Sequence, residues 1–238
     1  MSSFQDEESR IVTKYSRRNR QISASRYSSM DLANLLVKQE LEWKILEIIR
    51  SNAFDVEAAK ILEIGCGGGH WLRRFILWGA RPQNLVGLDL MADSIQLAER
   101  LTAPSAQFRV GNAASLDFPR DTFDIVCQFT VFSSVFDPEM RKRMASEMLR
   151  VLKPEGLVIW YDLFVGNPSN PNVRGIKKRE IRELFPDTDI TISRVTIALP
   201  LLRTLGEVAP PLYGLLCAPK LLCTHYLGVL RKLPFSKR

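Results

Sequence analysis

The sequence has little of what a stapled, metal-built or membrane-spanning protein needs. Its four cysteines, Cys66, Cys127, Cys217 and Cys223, form no C-x-x-C pair, and only two histidines, His70 and His225, accompany them. That pattern indicates neither a disulfide scaffold nor a zinc site; it points to reduced thiols, no metal and a cytoplasmic location. The uncharged runs at 208–219 and 221–230 fall short of the roughly 20 apolar residues that cross a bilayer. The opening MSSFQDEESR is polar and acidic, unlike a secretory leader. No G-x-x-x-x-G-K-[ST] phosphate loop, internal repeat or low-complexity linker occurs.

What remains is the composition of an ordinary globular chain. Of 238 residues, 46% are hydrophobic and 25% charged, which suits one large domain and excludes intrinsic disorder. The 33 lysines and arginines against 26 acids give +7, and the surplus sits at the ends. Arg10, Lys14, Arg17, Arg18, Arg20 and Arg26 are interrupted by no acid. After Glu207 no acid occurs, whereas Lys220, Arg231, Lys232, Lys237 and Arg238 do. Such ends attract an anionic substrate, anionic lipid or nucleic acid, or are simply solvated. No nucleic-acid-binding signature accompanies them, so nucleic acid is not an expected partner.

Residues 1–30 read as irregular apart from a short helix, and 30–50 as an amphipathic helix of about five turns. Short apolar runs follow at 60–65, 84–90, 106–112, 123–129 and 156–162, alternating with helical stretches at 68–78, 92–103 and 138–152. That rhythm predicts right-handed crossovers and an α/β fold, a mostly parallel sheet covered by helices on both faces. Pro154 and Gly156 break the last helix before its strand. A short helix at 176–184, a strand at 189–198, an apolar helical hairpin at 199–222 and a strand at 224–231 complete the chain. The division is a basic arm and helix over 1–52, serving as a lid, and one domain over 53–238 with the insertion at about 199–222.

The chemistry-bearing stretch is Glu63-Ile64-Gly65-Cys66-Gly67-Gly68-Gly69-His70. An apolar strand ends in an acid, a Gly-x-Gly-x-Gly turn follows, and a helix opens. Glycines there let the backbone approach a ligand, and the helix start adds free N–H groups. The dinucleotide spacing G-x-G-x-x-G fails, because His70 and Leu72 stand where glycine is required, so the ligand need not carry a pyrophosphate. Asp89 ends the next strand, 24 residues after Gly65, where a carboxylate accepts from ribose hydroxyls.

With these elements the chain resembles the class I S-adenosylmethionine-dependent methyltransferases, nearest to the small-molecule group that includes quinone C-methyltransferases. The likeness runs from about residue 60 to 162. It rests on the glycine turn, Gly87-Leu88-Asp89-Leu90, Val110-Gly111-Asn112-Ala113, Phe123-Asp124-Ile125-Val126 and Leu152-Lys153-Pro154-Glu155-Gly156. Asn112 stands where the family usually has aspartate; its carbonyl still accepts, without charge. The resemblance implies a Rossmann-like three-layer sandwich with a seven-stranded sheet whose last strand is antiparallel.

It also implies the cofactor S-adenosyl-L-methionine and the product S-adenosyl-L-homocysteine. Gly65, Cys66, Gly67 and Gly69 would lie at the methionine portion, with Glu63 steering it. Asp89 would take the ribose, Leu90 the adenine face, and Asn112 with Ala113 the adenine edge. Gln128 and Phe129 would sit beneath the donor, Phe129 reading equally as core. Acceptor-side candidates are Asp162 and Tyr161 at the fifth strand's end, His225, and Tyr27. The expected activity is in-line methyl transfer to an oxygen, nitrogen or carbon of a small molecule, apolar or anionic. The alternatives are an RNA or protein methyltransferase using the basic ends, and a binding module without turnover.

Overall fold

The computed structural model describes residues 2–21, 30–167 and 170–233. Its elements are α1 (Ser2–Gln21), α2 (Leu32–Ser51), β1 (Ile61–Ile64), α3 (His70–Leu77), β2 (Leu85–Asp89), α4 (Ala92–Leu101) and β3 (Gln107–Val110). Then follow β4 (Phe123–Phe129), α5 (Pro138–Val151), β5 (Leu152–Leu163), α6 (Lys178–Leu184), β6 (Thr188–Ile197), α7 (Leu199–Leu205), α8 (Ala209–Cys217) and β7 (Cys223–Lys232). The sheet order is β3-β2-β1-β4-β5-β7-β6. Every pair is parallel except the two made by β7. The Rossmann-like three-layer sandwich expected from the sequence is the architecture found.

Strand parity builds two cores. In β1, Leu62 and Ile64 face one side, with Val86, Met140, Met144 and Trp160. Ile61 faces the other, with Trp71, Phe75 and Leu85. Parallel strands buried on both faces read as unbroken apolar runs, which is why β1, β4 and β5 were visible in the sequence. Helix starts follow capping chemistry. Asp31 accepts from the Asn34 N–H at 3.0 Å before α2, and Asp137 accepts from the Met140 N–H at 2.7 Å before α5, which carries Pro138 at its first turn.

Two expectations are corrected. The first thirty residues hold a 20-residue helix rather than a short one. Phe4, Ile11 and Tyr15 pack α1 onto the Leu62–Met140 core, and its acids lead while its basic residues trail, as the helix dipole favours. Secondly, the Pro154–Gly156 turn does not separate helix from strand. Helix α5 ends at Val151 and β5 starts at once, with a register shift opposite Phe123 and Ile125. A bulge there accommodates a proline that has no N–H for the ladder.

Helices α1 and α2 cover opposite faces of the sheet. Leu41, Ile45 and Ile49 of α2 join the Trp71–Phe75 core. Beyond the sheet edge, α7 and α8 gather Leu202 and Ala209 onto Ala33 and Ile197.

Candidate functional site

The C-terminal ends of β1, β2 and β4 open onto a cavity of about 780 Å³, the position where open α/β sheets take ligands. Gly65, Gly67, Asp89, Leu90, Asn112, Ala113 and Phe129 of the expected donor set lie on its wall. Glu63, Cys66, Gly69 and Gln128 do not, and each has a visible reason.

The three turn glycines do different work. Gly65, Gly67 and Gly69 all have positive φ, at 65°, 50° and 74°. A Cβ at Gly65 would overlap a methyl of Val131, and one at Gly69 would press Ala98, Phe108 and Arg73 at 3.2 Å. At Gly67 it would meet nothing within 4 Å. Gly69 is therefore a packing glycine that opens α3, whereas at Gly67 the open space belongs to the cavity. Cys66 turns its thiol inward, 4% exposed, and burial pushes its titration far up, so it serves as an inert filler.

Asp89 anchors the turn. One carboxylate oxygen accepts from the Gly67 N–H and the other from the Met91 N–H, both at 2.8 Å. Burial raises its pKa, against the pull of those amides. Glu63, 2% exposed, is raised much further, by burial first and by the Asp89 charge second. Its Oε2 has no hydrogen-bond partner. Two acids on the neighbouring strands β1 and β2, one with an unsatisfied oxygen, suit a ligand that brings hydroxyls and positive charge.

Asn112 contributes its carbonyl to the Ala114 N–H at 2.7 Å and donates its amide to Glu8 of α1. Gln128 is fully buried. It braces the end of β4, accepting from the Val131 N–H at 3.0 Å and donating to the Tyr161 carbonyl at 3.3 Å. Phe129 stacks on Trp71 with ring centres 4.6 Å apart while touching the cavity, so it is core and wall at once.

The acceptor-side candidates lie elsewhere. Asp162 is fully buried and accepts from the Ser133 N–H at 3.1 Å and the Leu163 N–H at 2.9 Å. Burial pushes it up to about 6. Tyr161 points to the opposite face, its hydroxyl 2.9 Å from that of Thr196 and its ring stacked on His225 at 4.7 Å. Burial drives His225 down to about 3. None of the three is on the cavity wall, and Tyr27 lies outside the described residues.

The sequence reading expected a lid over 1–52 but did not single out Ile11. Ile11 and Tyr15 of α1 line the cavity, with the Tyr15 hydroxyl 2.7 Å from that of Ser134. Arg10 donates to the Ser134 carbonyl at 2.6 Å and lies over the Phe136 ring. Glu7 pairs with Arg10 at 2.6 Å and accepts from the Phe136 and Asp137 N–H groups. The wall continues over Val131, Val135, Met140 and Met144. The spacing of Phe4, Ile11 and Tyr15 was the available signal. Among the described residues no cluster of histidine, cysteine and acids is arranged to hold a metal.

The fold defines the class of α/β proteins with this strand order, and comparison with known proteins narrows it. Residues 61–156 match a family described as "Methyltransferase domain". The chain is 36% identical over 112 residues to a fatty-acid O-methyltransferase of Mycolicibacterium smegmatis, covering 45% of this chain and 38% of that protein. It is 28% identical over 156 residues to a demethylmenaquinone methyltransferase of Bacillus licheniformis, covering 64% and 63% respectively. The chain thus spans about half the length of the curated relatives it matches. Among solved structures, magnesium protoporphyrin IX methyltransferase from Synechocystis PCC 6803 superposes with a TM-score of 0.64 at 13% identity, covering 95% of this chain and 97% of that one. Residues 61–156 are thus similar to a methyltransferase domain, in keeping with the resemblance to the class I S-adenosylmethionine-dependent methyltransferases read from the sequence.

Proposed function

We propose that this protein transfers a methyl group from S-adenosylmethionine to a small, largely apolar acceptor. The observation that carries the donor half is the open space at Gly67 on the cavity wall, backed by the unpartnered oxygen of Glu63, buried two residues before Gly65 and behind that wall. A cradle that a Cβ would fill and a buried carboxylate short of a partner both fit a cationic amino-acid tail. In this reading Gly65 and Gly67 receive that tail, and Asp89 accepts from the ribose hydroxyls with the lone pairs its amide bonds leave. Leu90 packs on the base, and Asn112 with Ala113 meets the base edge. The cofactor supplies a methyl group on a sulfonium that is its own leaving group.

The chain's share is positioning and exclusion of water. Helix α1 roofs the cavity, so residues 1–52 contribute a lid through α1, while α2 serves the opposite face. The acceptor would lie against Ile11, Val131, Val135, Met140 and Met144, an apolar wall dotted by the Tyr15 and Ser134 hydroxyls. The relatives acting on fatty acids and menaquinone precursors support an apolar acceptor. Neither Asp162 nor His225 is needed as a base here. Calorimetry with S-adenosylhomocysteine tests the donor half: heat with a single-site isotherm is expected, and no heat from folded protein overturns the reading.

A further inference from the structure

The insertion between β6 and β7 presents an apolar surface that the donor cavity does not use. Helix α8, sequence APPLYGLLC, is apolar all round, a composition normal for a helix covered on every side. Only one side is covered here: Ala209 is buried, and Tyr213, Leu216 and Cys217 pack on the α2 and β6 cluster. The other side leaves Val208, Leu212, Leu215, Leu221 and Leu222 exposed, Leu215 at 73% and Leu221 at 79%. Patches of this kind mark contact with another molecule.

Charge and aromatic placement identify the partner. Lys220 is exposed between Leu215 and Leu221, and no acid occurs from 208 to the last residue. Lys44 stands one turn along α2 from Glu40, which meets Tyr213 of α8. Beside Lys44 stands Trp43, 64% exposed, with the ammonium 5.5 Å from its ring centre. Glu40, the acid of α2 on this side, is turned inward to the Tyr213 hydroxyl at 2.7 Å and the Thr196 N–H at 3.0 Å. The exposed acids nearest this surface stand at its rim: Glu47 one turn along α2 from Trp43 and Lys44, and Glu207 next to Val208. Leucines flanked by lysines and a tryptophan match the layering of a membrane–water interface, apolar tails below and anionic headgroups above.

We propose that the 208–222 hairpin, with Trp43 and Lys44, docks the protein on an anionic phospholipid surface. The proposal is independent of the methyl-transfer reading. It also gives the one apolar helix of the insertion a place to bury its uncovered side.

The test is co-sedimentation of the full chain with vesicles of phosphatidylcholine alone and of phosphatidylcholine containing about a quarter phosphatidylglycerol. Wild type should bind the anionic vesicles, and less so in high salt. Leu215→Asp with Leu221→Asp, both at exposed sites, should lower binding at least about tenfold while leaving the unfolding temperature unchanged. Lys220→Gly should lower binding to anionic vesicles only; Lys220 has φ 57°, so glycine there keeps the turn and tests charge alone. Wild type that binds neither vesicle overturns the proposal, as does a double variant that binds undiminished. So does light scattering that shows a wild-type dimer broken by the double variant without vesicle binding, since a second copy then covers the patch.

Discussion

Gly67→Ala separates a ligand cradle from a tight turn. Gly67 has φ 50°, so a side chain there costs about 1–2 kcal/mol of backbone strain. Nothing in the protein adds to that, because the new Cβ meets no atom within 4 Å. The Gly67 N–H to Asp89 remains available, since the bond uses only backbone. If the loop merely joins β1 to α3, the whole effect is a lower unfolding temperature. If the loop receives the methionine end of the donor, the methyl group occupies ligand space, and affinity should fall about ten- to a hundredfold, or ~1.4–2.7 kcal/mol. Thermal unfolding and calorimetric titration with S-adenosylhomocysteine, run on the same preparation, read the two effects apart. Gly65→Ala is the contrasting control: its Cβ collides with Val131, so stability and affinity fall together. A folded Gly67→Ala protein with wild-type affinity would falsify the cradle.

Two further predictions concern carboxylates. Asp89→Ala should weaken S-adenosylhomocysteine binding by about 1.5–3 kcal/mol, as expected for hydrogen bonds to a charged acceptor. Burial holds the Asp89 carboxyl above its ordinary 3.8, so in wild type affinity should decline on acidification through that raised value, whereas the free protein gains stability from the same protonation; calorimetry across pH checks both, and a profile shared by the alanine variant removes Asp89 from the site. Glu7→Gln should free α1. Burial raises this carboxyl, yet Arg10 and the Phe136 and Asp137 amides outweigh it and bring it below 4.5. The clamp is therefore complete above that pH and lost as pH falls through the lower folded value. Losing it should cost about 1–3 kcal/mol locally, seen as faster amide exchange in α1, and unchanged exchange would show that α1 is held otherwise.

Legibility in the sequence followed how local each signal was. The strand–glycine–helix turn and Asp89 were readable because their meaning lies in a few adjacent residues and one spacing. A lid over 1–52 was expected, but the length of α1 and the side chains it turns to the sheet were hidden because its polar residues outnumber the apolar ones. Phe4, Ile11 and Tyr15 acquire a role only against Met140 and Leu62, more than forty-five residues away. For Asp162 and Tyr161, which are not on the cavity wall, the limit was another. A position at a strand's end fixes depth in the sheet but not which face the side chain takes, and alternation sends Tyr161 to Thr196 and Asp162 to the Ser133 amide. Gln128 shows the same limit: its neighbour Phe129 reaches the cavity while Gln128 braces the strand ends.

The acids at the ends of β1, β2 and β5 show why sequence position alone could not rank them. Burial raises all three, and each ionised form must be stabilised by something. For Asp162 it is the chain's own amides, from Ser133 and Leu163, so the carboxylate is satisfied within the chain. Asp89 is partly satisfied by Gly67 and Met91 yet still faces the cavity. Glu63 keeps one buried oxygen unpartnered and is pushed up further by Asp89. A buried acid in that state is stabilised by protonation or by a cation, and Arg73 acts on it too weakly to reverse the shift. The pair therefore favours a ligand that is positively charged at one end and rich in hydroxyls at the other. An adenosyl sulfonium with an amino-acid tail has that form, whereas a dinucleotide would bring its pyrophosphate charge toward two acids with little to offset it.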